Sequence, residues 1–220
     1  MVKMMEAFLQ PIKLSLFVSL LALIIVSVLG ISIAWVMTKI HFRGKLWLDT
    51  VLLLPIVLPP TVIGFLLIIG FGRNGFLGIL LDTLFDTSII FTIWAAVLAA
   101  VVVAFPLMYQ SVRTGMLQID RNIEDAARVD GANEWEVFRQ ITLPLSKNSL
   151  ITGITLSFAR ALGEFGATIM FAGNIPGKTQ TIPTAIYVAF ESNQMGLAWA
   201  WVLSIILVSF VMLLFLRKSA

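Results

Sequence analysis

Residues 121–147 read RNIEDAARVDGANEWEVFRQITLPLSK, a hydrophilic stretch set between long apolar runs. Residues 123–129 favour helix, and Gly131 supplies the flexible residue that ends one, commonly in the left-handed conformation. A second helix follows. Asn133 suits its N-cap, Glu134 and Glu136 suit the positive end of its dipole, and Trp135, Phe138, Ile141 and Thr142 fall on roughly one face. Pro144 then stops that helix or bends it into the next apolar run. Glu124, Ala126, Ala127 and Gly131 stand at the spacing E-x-A-A-x-x-x-G, and nine residues later Ile141, Leu143 and Pro144 complete I-x-L-P. Alanines at 126 and 127 let a groove on another protein approach the helix backbone closely. The plainer alternative is a solvated connection between two spans.

Around this stretch the composition is that of a membrane protein. The mean hydropathy is +0.99 and 59% of the 220 residues are hydrophobic, too apolar for a soluble domain. The net charge of +3 comes from basic residues scattered over loops, which signal topology rather than nucleic-acid binding. The chain has no cysteine, so disulfide, Cys-zinc and thiol chemistry are excluded. Its single histidine, His41, lies in a basic loop and reads as a solvated or interfacial residue. No catalytic or metal-ligating group is expected.

Five apolar runs are expected to span, over residues 14–37, 47–69, 89–110, 150–172 and 198–216. The first lacks a small-residue cleavage site and reads as an uncleaved anchor. The second carries Pro55, Pro59 and Pro60, so it should be kinked or unwound, which survives at membrane depth only beside protein or a water-lined cavity. Residues 73–88 are too short and interrupted to span and should form an outer loop with an interfacial helix. Pro106 falls near the cytoplasmic end of the third span. The fourth carries Arg160 and Glu164 one turn apart; such charges mark either a structural ion pair or an anion pathway or gate. Gly153, Gly163 and Gly166 allow close helix packing along it.

Residues 173–196 form a second sizeable loop. Its GNIPGKT is a false phosphate loop, because three residues separate Gly173 from Gly177 where the nucleotide motif needs four, and it follows a membrane helix instead of a strand. With five spans and the amino terminus outside, Lys39, Arg43, Lys45, Arg113, Arg121, Arg128, Arg139, Lys147, Arg217 and Lys218 lie in the cytoplasm. Only Lys3, Lys13, Arg73 and Lys178 stay outside. That asymmetry places residues 121–147 and the carboxyl terminus in the cytoplasm.

The E-x-A-A-x-x-x-G…I-x-L-P pattern resembles the cytoplasmic coupling loop of ABC importer permeases. LPIVLPPTVIGFLL, FPLMYQSVR and FARALGEFGATIMFAGNIPGKTQTIP extend the resemblance over nearly the whole chain. GEFGAT is shared widely among oxyanion permeases, whereas GNIPGKTQTIPTAIY is similar to the molybdate permeases, relatives of the tungstate and sulfate permeases. Asp125 and Asp130 depart from the commonest coupling pattern.

The resemblance implies an all-α, polytopic transmembrane bundle with the ABC type I importer permease fold: a single domain over residues 1–220 with about five spans plus short coupling helices. It implies a permease homodimer in the cytoplasmic (inner) membrane, a cytosolic ABC ATPase dimer carrying ATP and Mg, and an extracytoplasmic molybdate-binding protein. The chain itself then has no cofactor, is no enzyme and binds no nucleic acid. Glu124, Ala126, Ala127, Gly131, Ile141, Leu143 and Pro144 would couple to the ATPase. Pro59, Pro60, Thr61, Thr155, Ser157, Arg160 and Glu164 are pathway or gate candidates, and Asn174, Pro176, Gly177 and Thr179 would face the binding protein. Tungstate or sulfate remain alternative substrates. A secondary carrier would call for a repeated second half that 220 residues do not hold, and a purely structural membrane protein leaves the buried charges unexplained.

Overall fold

The computed structural model describes residues 2–219. The side chains of residues 1–4, 85 and 215–220, including those of Lys3, Arg217 and Lys218, lie outside the description. Every regular element among the described residues is helical. In order they are α1 (Val2–Lys39), α2 (Lys45–Val57), α3 (Pro60–Phe71), α4 (Phe76–Phe85), α5 (Ile93–Leu117), α6 (Arg121–Val129), α7 (Glu134–Val137), a π-helical turn (Phe138–Thr142), α8 (Leu143–Leu145), α9 (Lys147–Leu162), α10 (Gly166–Phe171), α11 (Ile182–Glu191) and α12 (Met195–Ser219).

α5 is the central post. It buries a face rich in small residues, with Ala95, Ala96, Ala99, Ala100 and Ala104 fully enclosed, and it packs on α1 and α9. Small side chains let helix backbones approach in lipid, where dispersion and hydrogen bonds rather than water exclusion hold helices together. A Cβ placed on Gly153 of α9 would lie 2.9 Å from Met108 Sδ of α5. A smaller cluster joins the ends of the chain: Phe8 of α1 stacks on Trp201 of α12, whose indole donates to the Phe8 carbonyl at 3.0 Å.

Of the five expected runs, three form unbroken helices and two are each divided into a pair of helices; by length and composition three helices among the described residues can cross a bilayer, or four crossings if the bent pair α2–α3 counts as one. α1, α5 and α12 are long and apolar enough to cross a bilayer. α1 is longer than the expected 14–37; at about 1.5 Å per residue its 38 residues reach about 57 Å, beyond a core of about 30 Å. The expected second span breaks at Leu58 and Pro59 into α2 and α3, bent by 117°. Pro59 and Pro60 have no N–H to continue the ladder, and Pro60 starts the new helix at a position where that loss is harmless. The expected fourth span breaks at Gly163–Phe165 into α9 and α10. α9 alone has 16 residues, about 24 Å, short of a full crossing. The expected third span shifts to Ile93–Leu117, so Pro106 lies at mid-helix rather than near its end. The outer loop holds the expected short helix as α4, and residues 173–196 are not all loop, since α11 occupies ten of them.

The two breaks lie against one another. A Cβ on Gly166 would come 2.9 Å from Pro60 Cβ and 3.3 Å from Thr61 N. A Cβ on Gly64 would come 2.7 Å from Met170 Cβ and 3.0 Å from the Ala167 Cα. α3 and α10 therefore pack backbone to backbone, and the room exists only because both residues are glycine. Gly64→Ala should lower the thermal midpoint of the protein in bilayer nanodiscs by an amount equivalent to about 1–3 kcal/mol. Gly70→Ala, on the same helix with open space around it, should be neutral or mildly stabilising. Equal midpoints for the two variants would refute the close α3–α10 approach.

Candidate functional site

The segment expected to couple is built from two capped helices. Asp120 starts α6, its carboxylate accepting from Asn122 N at 2.9 Å. Gly131 ends it at φ +96°: Gly131 N donates to the Arg128 carbonyl at 3.1 Å and Ala132 N to the Ala127 carbonyl at 3.0 Å. That pair of bonds needs a left-handed residue, hence glycine. Asn133 caps α7 as expected, accepting from Trp135 N and Glu136 N, while Glu136 returns the favour by accepting from Asn133 N at 2.8 Å. Pro144 neither stops nor bends the chain. A wide π turn over Phe138–Thr142, closed by Leu143 N donating to the Phe138 carbonyl, lies just before it, where the proline ring would crowd the carbonyl of Gln140. The helical path changes at Ser146 instead.

Glu124 is the hub of this segment. It is 8% exposed and accepts from Lys39 Nζ at the end of α1, from Thr142 Oγ1 in the π turn at 2.7 Å, and from Arg128 Nη2 at 3.5 Å. Arg128 also donates to Glu134 through Nε at 2.6 Å and Nη2 at 3.2 Å, and to Asp125 at 2.5 Å. One carboxylate thus ties α1, α6 and the π turn, and one guanidinium ties α6 to α7. Burial pushes the Glu124 carboxyl up, but the hydrogen bonds from Lys39 and Thr142 and the charges of Lys39 and Arg128 outweigh it and hold it below the usual carboxylate range. The Arg128 guanidinium likewise holds Glu134 low. Aromatic packing backs the polar hub: Phe138 lies 4.7 Å from Trp35 and 5.3 Å from Trp135, ring centre to ring centre.

With Glu124 turned inward, the opposite face of α6 is free. Ile123, Ala126 and Val129 recur at three-residue spacing and are all exposed, Val129 to 87%. Ala127 is half-buried, Gly131 is exposed, Ile141 and Leu143 are half-buried, and Pro144 is exposed. On α6, Ile123, Ala126 and Val129 make a slim apolar ridge on a braced helix.

Of the pathway candidates, Pro59, Pro60 and Thr61 lie at the α2–α3 break and meet Gly166 at the α9–α10 break. Arg160 donates to Glu164 Oε2 at 2.5 Å, while Glu164 Oε1 accepts from Ala167 N at 2.7 Å. Glu164 therefore caps the start of α10 as well as pairing with Arg160, and it is fully buried. Thr155 donates to the Ile151 carbonyl within its own helix at 2.7 Å, and buried Ser157 donates to the Ala104 carbonyl of α5 at 3.3 Å. Both hydroxyl protons are thus engaged inside the bundle, whereas the Thr61 residue is exposed.

In the 173–181 loop, buried Thr179 accepts from Ile175 N at 3.0 Å, Gly177 takes φ +76° against Gln10, and Ile182 N donates to Ser15 Oγ at 2.7 Å. The exposed apex is Pro176, Gly177 and Lys178, whereas Asn174 is half-buried with its Oδ1 unpartnered.

Two features escaped the sequence. Lys39 reads there only as a topology charge, not as the counter-ion of Glu124, 85 residues away. Asp49 was not singled out at all. Tyr109 donates to its Oδ1 and Arg113 pairs with its Oδ2 at 2.9 Å, linking α2 to α5. An acid inside an apolar run was the signal available.

Glu124→Gln should destabilise the coupling segment by about 1.5–3 kcal/mol, the range for hydrogen bonds to charged groups, read as faster amide exchange over residues 121–146. Because the folded-state value lies below the ordinary one of about 4.3, the unfolded segment takes up the proton first on acidification. The contribution of Glu124 is complete above that value and is lost as pH falls through the lower folded one. Wild type should therefore open in acid with a limb that Glu124→Gln flattens. An unchanged limb would remove Glu124 from the hub.

A sequence model described as binding-protein-dependent transport system inner membrane component matches residues 9–219. The chain is 55% identical to YvgM of Bacillus subtilis, a permease protein assigned to molybdenum transport, over 96% of this chain and 93% of that protein. It is 46% identical to the molybdenum transport system permease protein ModB of Escherichia coli strain K12, over 90% and 87%. Among solved structures, a bacterial ABC transporter that imports the acidic polysaccharide alginate superposes with a TM-score of 0.79 at 18% identity, over 97% of this chain and 79% of that one. At that identity the match shows a shared permease fold. A bundle of whole and broken apolar helices carrying a capped helical projection, together with a match over residues 9–219, makes the chain a member of the family of binding-protein-dependent transport system inner membrane components.

Proposed function

We propose that this chain is the membrane subunit of an ATP-driven importer for molybdate. It works as a pair, with a cytosolic ATPase dimer on its two α6 helices and an external binding protein delivering the anion. The observation that carries this reading is α6 itself. Its acid Glu124 is buried against Lys39, Thr142 and Arg128, and its outer face exposes Ile123, Ala126 and Val129 beside Asn122. A solvated connector has no reason to bury its acid and expose its apolar side. A groove on an ATPase subunit does require a slim, rigid apolar ridge.

The rest follows mechanically. ATP closes the ATPase pair and draws the two α6 helices together. Glu124 passes the displacement to α1 through Lys39, and the π turn passes it to α9. α9 leads to the paired breaks, where the α2–α3 and α9–α10 joints let segments tilt. Molybdate is a tetrahedral dianion and needs donors that hold it weakly enough to release it. Thr61, exposed beside the breaks, fits that role. Arg160 contributes little field because Glu164 answers it at 2.5 Å. The Pro176–Lys178 apex is the outer surface offered to the binding protein. The molybdenum transport relatives support molybdate, and tungstate, nearly the same in size and charge, is the nearest second substrate. A carrier working without an ATPase leaves the exposed ridge without a role.

The reconstituted permease–ATPase complex should hydrolyse ATP faster when its binding protein carries molybdate or tungstate, and not when it carries sulfate. Val129→Asp or Ala126→Trp should cut that stimulation at least about tenfold and weaken ATPase co-purification, with the permease still folded, since both side chains point away from the bundle. Full stimulation in both variants would show that α6 does not couple. Stimulation by sulfate would reassign the substrate.

A further inference from the structure

A cavity of about 300 Å³ lies beneath α6, between the ends of α1 and α5. Lys39, His41, Arg121 and Arg128 line it, against Glu124 and Asp125. The two acids are already answered, Glu124 by Lys39 and Arg128, and Asp125 by Arg128. Arg128 is also held by Glu134, whereas Arg121 and His41 make no hydrogen bond or ion pair among the described residues, so their donors line the cavity unengaged. The same corner carries a second feature. Between α1 and α2 the chain alternates Lys39, Arg43 and Lys45 with Ile40, Phe42, Leu46 and Trp47, and these four apolar side chains are exposed, Leu46 and Trp47 to 78% each. Lys45 Nζ donates to the Ile40 carbonyl at 3.0 Å, folding this loop into a tight knuckle at the end of a membrane-length helix.

An apolar surface interleaved with cations, at the mouth of a pocket with an unpaired guanidinium and a free imidazole and at the boundary between span and cytoplasm, matches the chemistry of a phosphodiester headgroup with its acyl chains. Basic pockets on the cytoplasmic side of membrane helices hold such groups. We infer that the cavity beneath α6 binds the phosphate of an anionic phospholipid of the cytoplasmic leaflet through Arg121 and His41, with the acyl chains lying against Phe42, Leu46 and Trp47. The inference rests on the orientation proposed above. A bound headgroup would bridge the α1–α2 loop and the first turn of α6, so the coupling helix would be seated on lipid as well as on Glu124.

The test uses the whole permease–ATPase complex in nanodiscs of phosphatidylcholine with graded phosphatidylglycerol, reading lipid retained on the complex by native mass spectrometry. Phosphatidylglycerol should be retained over phosphatidylcholine. The double variant Arg121→Gln, His41→Gln should lower that retention at least about fivefold, while Arg73→Gln, near the opposite end of α5, should leave it unchanged. Equal retention of the two lipids, or retention indifferent to the double variant, would overturn the site. Displacement of retained phosphatidylglycerol by millimolar inorganic phosphate would overturn the lipid and leave a soluble phosphate as occupant. A disulfide-linked permease pair formed through Trp47→Cys in this cysteine-free chain would put a second copy on the surface and overturn it too. Lipid retention is read without substrate, so loss of binding-protein stimulation would count against the importer reading and not against this site.

Discussion

The carboxylate of Glu124 is the constraint on which the α6 end of the molecule depends. A charge enclosed among protein atoms is stable only if every lone pair is answered, and here Lys39, Thr142 and Arg128 come from three separate elements to do so. Each donor fixes the position of the element that carries it. α6 cannot rotate about its axis without breaking the bond to Lys39, and the π turn cannot relax to α-helical winding without moving the Thr142 hydroxyl. The outcome is a helix of nine residues, too short to persist alone, held as a rigid projection. The exposed ridge is thus a consequence of the buried acid: because Glu124 is turned inward, Ile123, Ala126 and Val129 are carried to the outside of the helix.

The second constraint is the supply of backbone partners at the two broken spans. Unwinding a helix inside a membrane frees N–H and carbonyl groups that lipid cannot satisfy. At the first break the prolines remove two of the N–H groups outright, and the Pro59 carbonyl accepts from Val62 and Ile63 N. At the second, Glu164 supplies the oxygen for Ala167 N while its other oxygen takes Arg160. Glu164 thus bridges Arg160 at the end of α9 and the first turn of α10, joining the two helices across the break. Setting the two breaks together, with glycines at 64 and 166 in the contact, shields both from lipid at once.

Much of this was legible from the chain. The helix, glycine stop, Asn133 cap and second helix of the coupling segment follow from local chemistry, because caps and left-handed glycines act over four or five residues. The broken second span was legible from its prolines. The break at residues 163–165 was not, since GEF has no proline and its unwinding depends on Pro60 and Thr61 pressing on Gly166 from another helix. Nor was the hub, since an acid at 124 and a lysine at 39 are joined only by the fold. Pro144 misled for a related reason. Its local preference to end a helix is met by one wide turn before it, which also carries the Thr142 hydroxyl to Glu124.

The distribution of anchoring determines which element is free to move. α5 is enclosed by α1 and α9, and α3 is locked to α10 through paired glycine contacts, so neither can tilt without leaving a cavity in lipid. α2 is different. None of its residues is buried, and its polar tether is Asp49 near its start, held by Tyr109 and Arg113 of α5. Its far end meets the 117° bend at Leu58 and Pro59, where no helical hydrogen bond crosses from α3 to hold the angle. A rod pinned at one end and jointed at the other is the part of this bundle that can swing while its neighbours keep their packing. On the importer reading, α2 is then the wall that opens, and the Asp49 tether sets its pivot beside the coupling end, where displacement of α6 first reaches the spans.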